Sequence, residues 1–149
     1  MIAAAVFFLL AVFFDFIDGA VARFENKATK IGAYLDTICD RYVEGIILFG
    51  FLFLSLPKFG GLEAKIWIFL ALFGSLMTTY AKAAAKEKEL LVEEELPKGW
   101  LGRPERAILI FLSLILGIFN FSLMIYPLVI LALLSNISAL QRIFHNLRT

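Results

Sequence analysis

Cysteine and histidine are nearly absent from this chain of 149 residues, which contains one of each, Cys39 and His145. A single cysteine cannot form a disulfide within the chain, and zinc sites are usually built from several cysteine and histidine side chains. The sequence therefore excludes an internal disulfide, a cysteine-based metal cluster and a zinc site of the usual kind. The formal net charge is only +1 and no basic tract is present, so we expect no nucleic-acid partner.

Apolar side chains, in contrast, are abundant: 61% of the residues are hydrophobic, 16 of them are phenylalanine, and the mean hydropathy is +0.87. Soluble domains are nearer half apolar. We therefore predict an integral membrane protein of one domain, residues 1–149, whose fold is an all-α bundle of transmembrane helices in the lipid bilayer. Apolar runs between polar or proline-containing turns predict five spans, at 2–22, 33–55, 64–85, 104–122 and 127–147.

Lysine and arginine are distributed unevenly among the predicted loops. The first loop, the third loop and the C-terminal end carry most of them, whereas the second loop has two and the fourth has none. Cytoplasmic loops of membrane proteins carry an excess of these residues. We therefore predict that the first and third loops face the cytoplasm, so that a site at this end of the helices opens to the cytoplasmic side of the cell membrane.

Four aspartates lie at that end: Asp15 and Asp18 on the first predicted helix, and Asp36 and Asp40 on the second. Ionised groups in or near a bilayer are costly and by default mark a functional site. Spacings of three and four place each pair on one helix face, and the short link between the helices allows the two pairs to converge. Carboxylate oxygens suit Mg²⁺ or Mn²⁺ rather than zinc. Small residues on the same faces leave room for a large ligand: Gly19, Ala22 and Gly32.

The stretch from Asp15 to Asp40 reads DFIDGAVARFENKATKIGAYLDTICD. It fits the pattern D-x2-D-G-x2-A-R-x8-G-x3-D-x3-D without a mismatch, and in this it resembles the CDP-alcohol phosphotransferases. The resemblance implies a membrane enzyme of phospholipid biosynthesis that moves a phosphatidyl-type group from a CDP-alcohol lipid to the hydroxyl of a second alcohol and releases CMP. The donor would be CDP-diacylglycerol or CDP-archaeol. The family resemblance also suggests a homodimer.

The resemblance further implies roles for the residues of the motif. Asp15, Asp18 and Asp36 would be metal ligands, and Asp40 would bind a second metal ion and act as general base on the acceptor hydroxyl. Two Mg²⁺ or Mn²⁺ ions would neutralise the pyrophosphate and stabilise the CMP leaving group. The remaining motif residues would bind the nucleotide: Gly19, Ala22, Arg23 and Gly32.

Two alternatives to this interpretation of the aspartates stay open. They could form a salt-bridged cluster with Arg23, Lys27 and Arg41, although such a cluster does not explain the small residues beside them. They could also belong to an ion or proton carrier, because intramembrane carboxylates serve such proteins as well. Metal-dependent release of CMP from a CDP-lipid would distinguish an enzyme from a carrier.

Four cations outside the motif bear on the acceptor: Lys82, Arg103, Arg106 and Arg142. Arg103 and Arg106 lie at the N-terminus of the predicted fourth helix, where a helix end and guanidinium groups together form an anion site. By position alone, all four could instead contact lipid headgroups. Their context resembles the branch that makes phosphatidylinositol phosphate or archaetidylinositol phosphate, which implies inositol phosphate as acceptor. Ala84 departs from that branch, which has arginine there, so glycerol phosphate or another alcohol is the alternative acceptor.

Members of the family usually carry six spans, and the resemblance covers this chain from the family's second span onward. We therefore expect the five predicted spans to correspond to the six-span fold without its first span. Because the missing region helps to close the donor site in the family, we also expect these 149 residues alone to be poorly active.

Overall fold

The structure is a computed structural model that describes residues 2–24, 29–90 and 100–147, without the side chains at 2, 4, 15, 16, 18–24 and 146. These ranges contain five α-helices and a short 3₁₀ helix, Phe121–Met124. The α-helices are α1 (Ile2–Phe24), α2 (Lys30–Phe51), α3 (Ala64–Glu87), α4 (Arg103–Phe119) and α5 (Ile125–Asn146). The predicted all-α fold is confirmed. Within the described residues, two helical segments are long and apolar enough to cross a membrane, Ala64–Glu87 and Phe121–His145.

Several predicted helix boundaries differ from the structure, among them the start of α2 and the end of α4, and two of the differences bear on proline. The second helix ends at Phe51 rather than at residue 55, and the next three backbone N–H groups bond three residues back, so the chain leaves the helix through tightened turns before it reaches Pro57. The fifth helix begins at Ile125, so Pro127 lies inside its first turn. A proline is tolerated there because the first backbone N–H groups of a helix have no intrahelical partner.

The centre of the bundle is the pair α3 and α5, which run parallel. Ala64 packs with Val129 near the start of both helices, and further along the carbonyl of Leu70 accepts a hydrogen bond from Asn136 Nδ2 at 2.8 Å. The residues that α3 buries are mostly small: Ala64, Ala71, Gly74, Ser75, Thr78, Ala81 and Ala85. Small residues and interhelical hydrogen bonds are what hold helices together in lipid, where the hydrophobic effect gives no preference for contact.

The other helices surround this pair. The 3₁₀ helix reverses the chain, so α4 runs antiparallel to α5: Leu101 N–H donates to Ser138 Oγ at 2.9 Å, and Ser113 Oγ donates to the Met124 carbonyl at 2.8 Å. α1 packs against α4 and α2 packs against α3. As a result, the first half of α2, the last turns of α3 and α5, and the first turn of α4 meet at one end of the bundle.

We predict that Gly74→Ala destabilises the fold, because Gly74 lies where α3 and α5 approach most closely. A Cβ atom there would lie 2.6 Å from Asn136 Nδ2 and 2.8 Å from the backbone nitrogen of Asn136. Backbone cannot move aside as a flexible side chain can, and overpacking of this kind costs about 1–3 kcal/mol. The measurement is the midpoint of thermal unfolding in detergent.

Gly50→Ala is the matched control, since nothing lies within 4 Å of a Cβ at Gly50 and alanine favours a helix. It should leave the midpoint unchanged or raise it slightly. A Gly74→Ala protein as stable as the wild type would contradict the close approach of α3 and α5.

Candidate active site

Three acidic residues, Asp36, Asp40 and Glu44, occupy one face of α2 and form what we call the carboxylate row. Their spacing of four places them one helical turn apart. The start of the helix is fixed by Thr29, whose Oγ1 accepts a hydrogen bond from Gly32 N–H at 3.0 Å. The side chain of Asp36 is 49% exposed, that of Asp40 is 14% exposed and that of Glu44 is 10% exposed. The row therefore leads from the surface into the interior.

The guanidinium group of Arg103, in the first turn of α4, contacts the two outer carboxylates of the row. Its Nη1 lies 3.4 Å from Asp36 Oδ2, and its Nη2 contacts Asp40 Oδ1. One cationic group thus bridges both side chains, so the carboxylates of Asp36 and Asp40 lie beside the same positive charge. Two neighbouring carboxylates can serve as ligands of a hard divalent cation such as Mg²⁺ or Mn²⁺.

The other half of the predicted metal site cannot be described, because the side chains of Asp15 and Asp18 lie outside the described residues. The same holds for Gly19, Ala22 and Arg23 among the predicted nucleotide-binding residues, whereas Gly32 is exposed in the first turn of α2. Within the described side chains, no group of three or more potential metal ligands occurs. The structure therefore brings together two of the four predicted metal ligands.

The four predicted acceptor-binding cations lie near this end at different depths. Lys82 and Arg103 are exposed, Arg142 is half-buried, and Arg106 is buried. Thr78 of α3 connects the last two: Arg106 Nη1 donates to Thr78 Oγ1 at 2.9 Å, and Arg142 Nη1 donates to the Thr78 carbonyl at 2.6 Å. Arg106 and Arg142 thus share a hydrogen-bond partner, Thr78, which no pattern in the sequence singled out.

Glu44 is a second residue that the sequence analysis missed, although its spacing of four from Asp40 continues the pattern of the motif. Its Oε2 contacts Arg41 Nη1, and its Oε1 lies 3.2 Å from Arg106 Nε. The second contact is an ion pair without hydrogen-bond alignment. In the alternative of a salt-bridged cluster, Arg41 was expected beside the aspartates; the structure pairs it with Glu44, while the Arg23 and Lys27 side chains lie outside the described residues.

A cavity of about 650 Å³ opens beside the carboxylate row, between α1, α2 and α4. Charged side chains line one part of it: Asp36, Asp40, Arg41, Glu44 and Arg103. Apolar side chains of α1 and α4 line the rest, among them Phe8, Val12 and Ile110. This division suits an amphipathic ligand whose charged group contacts the carboxylate row while its apolar part lies along the helices.

Comparison with known sequences now identifies the family. The sequence model of the family described as CDP-alcohol phosphatidyltransferase matches residues 1–139, nearly the whole chain. The chain belongs to the CDP-alcohol phosphatidyltransferase family. The family predicted from the aspartate motif is confirmed, and so is the predicted class of enzyme, a transferase. The alternative of an ion carrier finds no support in this membership.

Individual relatives agree with the family. The archaetidylinositol phosphate synthase of Pyrococcus horikoshii is 35% identical over 144 residues, which are 96% of this chain and 69% of that protein. The phosphatidylinositol phosphate synthase of Mycobacterium tuberculosis is 30% identical over 138 residues, covering 89% of this chain and 61% of that protein.

The fold also matches solved structures of the phosphatidylinositol phosphate synthase of Mycobacterium tuberculosis. The structure with CDP-DAG bound gives a TM-score of 0.80 at 29% identity, over 97% of this chain and 72% of that one. The structure in complex with manganese and citrate gives 0.79 at 28% identity, over 99% of this chain and 70% of that one. The family therefore uses a divalent metal ion. The chain itself spans 61–72% of the length of the relatives described here.

We predict that Arg103→Gln strengthens Mn²⁺ binding, because the guanidinium group competes with a metal ion for Asp36 and Asp40. One positive charge about 4 Å from a divalent ion costs about 2 kcal/mol even at the dielectric constant of water. Removing it should raise the affinity for Mn²⁺ at least about tenfold. The measurement is a titration of the substrate-free protein with Mn²⁺, followed by electron paramagnetic resonance.

Lys82→Gln is the control, because Lys82 is an exposed cation near the same end of the bundle. It should change the Mn²⁺ affinity little. Weaker Mn²⁺ binding by Arg103→Gln would mean that Arg103 supports the metal site rather than competing for it.

Proposed function

We propose that this chain transfers a phosphatidyl-type group from CDP-diacylglycerol or CDP-archaeol to the hydroxyl of inositol phosphate and releases CMP. The observation that carries the choice of acceptor is the charge of four residues that we call the arginine cluster, Arg41, Glu44, Arg106 and Arg142. Among the described side chains, three guanidinium groups accompany one carboxylate there, an excess of two positive charges. Within the same part of the chain, a second carboxylate that acts on Arg106 is that of Glu105, which is exposed to solvent.

A phosphate monoester has the charge that this cluster requires, since it carries about −1.5 to −2 at neutral pH. Its phosphate oxygens can also accept hydrogen bonds from the cluster. The Nε atom of Arg142 is buried and makes no hydrogen bond within the described part of the chain. Buried N–H groups are normally paired, and guanidinium groups match phosphate oxygens with two parallel hydrogen bonds. Free inositol has hydroxyl oxygens but neither the charge nor the anionic oxygens of a phosphate, so the cluster favours the phosphorylated acceptor.

The cavity between α1, α2 and α4 is the proposed site of the donor lipid. Its apolar walls would contact the lipid chains, and its charged part would contact the pyrophosphate. Gly19, Ala22, Arg23 and Gly32 are proposed to bind the nucleotide, as the family motif implies. The CDP-DAG bound to the mycobacterial relative supports a CDP-lipid as donor.

Two Mg²⁺ or Mn²⁺ ions are proposed cofactors, held by Asp15, Asp18, Asp36 and Asp40. When bound, they would neutralise the pyrophosphate and stabilise the departing CMP. Asp40 would remove the proton from the acceptor hydroxyl. The acceptor oxygen would then bond to the lipid-side phosphorus, and the bond from that phosphorus to the oxygen of CMP would break, the electron pair leaving with CMP.

The relative position of Asp40 and the arginine cluster supports this division of roles. Asp40 precedes Glu44 by one helical turn, and both line the cavity. An acceptor whose phosphate binds the arginine cluster would therefore bring a hydroxyl close to the proposed base. The distribution of lysine and arginine among the loops supports the proposal that the enzyme lies in the cell membrane with its site open to the cytoplasm. The family resemblance supports the proposal that the enzyme is a homodimer.

Glycerol phosphate is the second candidate acceptor, because the arginine cluster recognises a phosphate and not the ring of a polyol. Ala84, in place of the arginine found in the inositol phosphate branch, favours keeping this candidate. An acceptor panel with one CDP-lipid, in which CMP release is measured, separates the two acceptors.

Activity is predicted to require Mg²⁺ or Mn²⁺ and to vanish in EDTA, because two carboxylates of the site share one cationic partner and carboxylate oxygens suit hard divalent ions. Restoring the ion should restore CMP release. Asp36→Asn should abolish metal binding. Asp40→Asn should lower the rate of turnover more than it lowers the affinity for the donor. Full turnover in EDTA would contradict the metal-dependent mechanism.

Arg142→Ala is predicted to raise the KM for inositol phosphate far more than the KM for the CDP-lipid, and Arg106→Ala should do the same. Loss of a hydrogen bond to a charged group costs about 1.5–3 kcal/mol, which corresponds to roughly tenfold to more than a hundredfold in affinity. Arg142→Ala is the cleaner test, because Arg142 is only half-buried and is not paired with Glu44. Steady-state kinetics with each substrate varied in turn gives both constants.

Lys65→Ala is the control for this pair, since Lys65 is an exposed cation in the first turn of α3, at the opposite end of the bundle. It should leave both constants unchanged. If the two arginine variants alter only the donor KM, or if free inositol reacts as well as inositol phosphate, the proposed acceptor site is wrong.

A further inference from the structure

Glu44 lies outside the family motif, yet it is the most buried member of the carboxylate row, and only 8% of the residue is exposed. Burial of a carboxylate is unfavourable unless the charge is paired. Here the pairing is with two arginines, Arg41 of the same helix and Arg106 of α4. Arg103 is paired with Asp36 and Asp40, so the row divides into an outer pair beside Arg103 and an inner glutamate beside Arg106.

Arg106 is held from two sides. On one side its Nε faces Glu44 of α2 at 3.2 Å, and on the other its Nη1 donates to Thr78 of α3 at 2.9 Å. A guanidinium group is planar and rigid, so a hydrogen bond at one nitrogen and a charge contact at another limit the directions in which its remaining N–H bonds can point. Glu44 and Thr78 therefore restrict how Arg106 is presented.

We propose that Glu44 is a positioning residue of the acceptor site: it orients the Arg106 guanidinium for the acceptor phosphate without touching the acceptor itself. The inference rests on the proposed function, in which Arg106 binds that phosphate. Glu44 also lines the donor cavity one turn from Asp40, so it lies at the boundary between the donor side and the acceptor side of the site.

Two other roles for Glu44 lead to different measurements. If Glu44 only lowered the positive charge of the arginine cluster, its neutralisation would strengthen phosphate binding, because the excess of positive charge would grow. If it were a further metal ligand beside Asp40, its neutralisation would weaken Mn²⁺ binding. A positioning role instead predicts weaker acceptor binding with Mn²⁺ binding unchanged.

The test uses Glu44→Gln, which keeps the size of the side chain and removes its charge. Binding of inositol phosphate is measured by isothermal titration calorimetry, Mn²⁺ binding by electron paramagnetic resonance, and both KM values and kcat by CMP release. We expect inositol phosphate to bind about tenfold more weakly, a change that corresponds to 1.4 kcal/mol. The Mn²⁺ affinity and the KM for the CDP-lipid should stay near the wild-type values.

Two further variants make the result specific to Arg106. Glu44→Asp keeps the charge but shortens the side chain by one methylene group, so a positioning role predicts weaker acceptor binding here too. Because Glu44 is proposed to act through Arg106, adding Glu44→Gln to Arg106→Ala should weaken acceptor binding no further than Arg106→Ala alone. Glu63→Gln, an exposed carboxylate paired with Lys58 at the other end of α3, is the control and should match the wild type.

Acceptor binding by Glu44→Gln that equals or exceeds the wild-type affinity would overturn the inference, as would a loss of Mn²⁺ binding or an additive effect in the double variant. If Glu44→Gln does not fold, judged by its thermal unfolding, Glu44→Asp decides the question by the same criteria. The proposed function has a separate test: if the wild-type protein does not prefer inositol phosphate to inositol, that function fails. If it does and the Glu44 variants bind normally, only the present inference fails.

Discussion

Pairing between the carboxylates of α2 and the guanidinium groups of α4 is the constraint on which the site depends. Charges buried away from water cost several kcal/mol each, and only close partners offset that cost. Asp36 and Asp40 accordingly share Arg103 at the surface, and Glu44 faces Arg106 in the interior. Both series go deeper with increasing residue number, so α2 and α4 run in the same direction where they meet. A shift of α2 by one residue would turn the carboxylates off this face, because neighbouring positions differ by about 100° around a helix.

The rest of the bundle gives this charged contact a rigid support on one side. α3 and α5 are joined by small residues and by the Asn136 hydrogen bond, and they carry Thr78 and Arg142. α2 has large exposed apolar side chains along much of its length, such as Tyr42, Ile46 and Phe49. Thr78, Arg106 and Arg142 therefore lie on closely packed helices, whereas the groups proposed for the metal ions lie on α1 and α2. Closely packed helices hold side chains in a defined geometry more accurately than loosely packed ones.

Much of this arrangement could be predicted from the sequence, because the relevant signals are local. Apolar runs indicate the helices, a spacing of four places Asp36 and Asp40 on one face, and the clustering of lysine and arginine indicates one end of the bundle. The contacts between helices could not be predicted in this way. Nothing near Glu44 in the sequence says that Arg106, 62 positions later, is its partner, and nothing near Thr78 says that α5 runs parallel to α3. The burial of Arg106 follows from those contacts, and so does the position of Arg103 beside the proposed metal ligands.

The position of Arg103 couples binding of the metal ion to binding of the acceptor in the proposed reaction. The same guanidinium group has two possible anionic partners, the carboxylates Asp36 and Asp40 and the phosphate of the acceptor. A cation that binds to those carboxylates would weaken their attraction for Arg103, so that the guanidinium group could pair more strongly with the phosphate. Coupling of this kind is reciprocal, so an acceptor phosphate that draws Arg103 away would also strengthen cation binding. The residue that links the two halves of the site would thereby favour the state in which the metal ion and the acceptor are bound together over the states in which only one of them is bound.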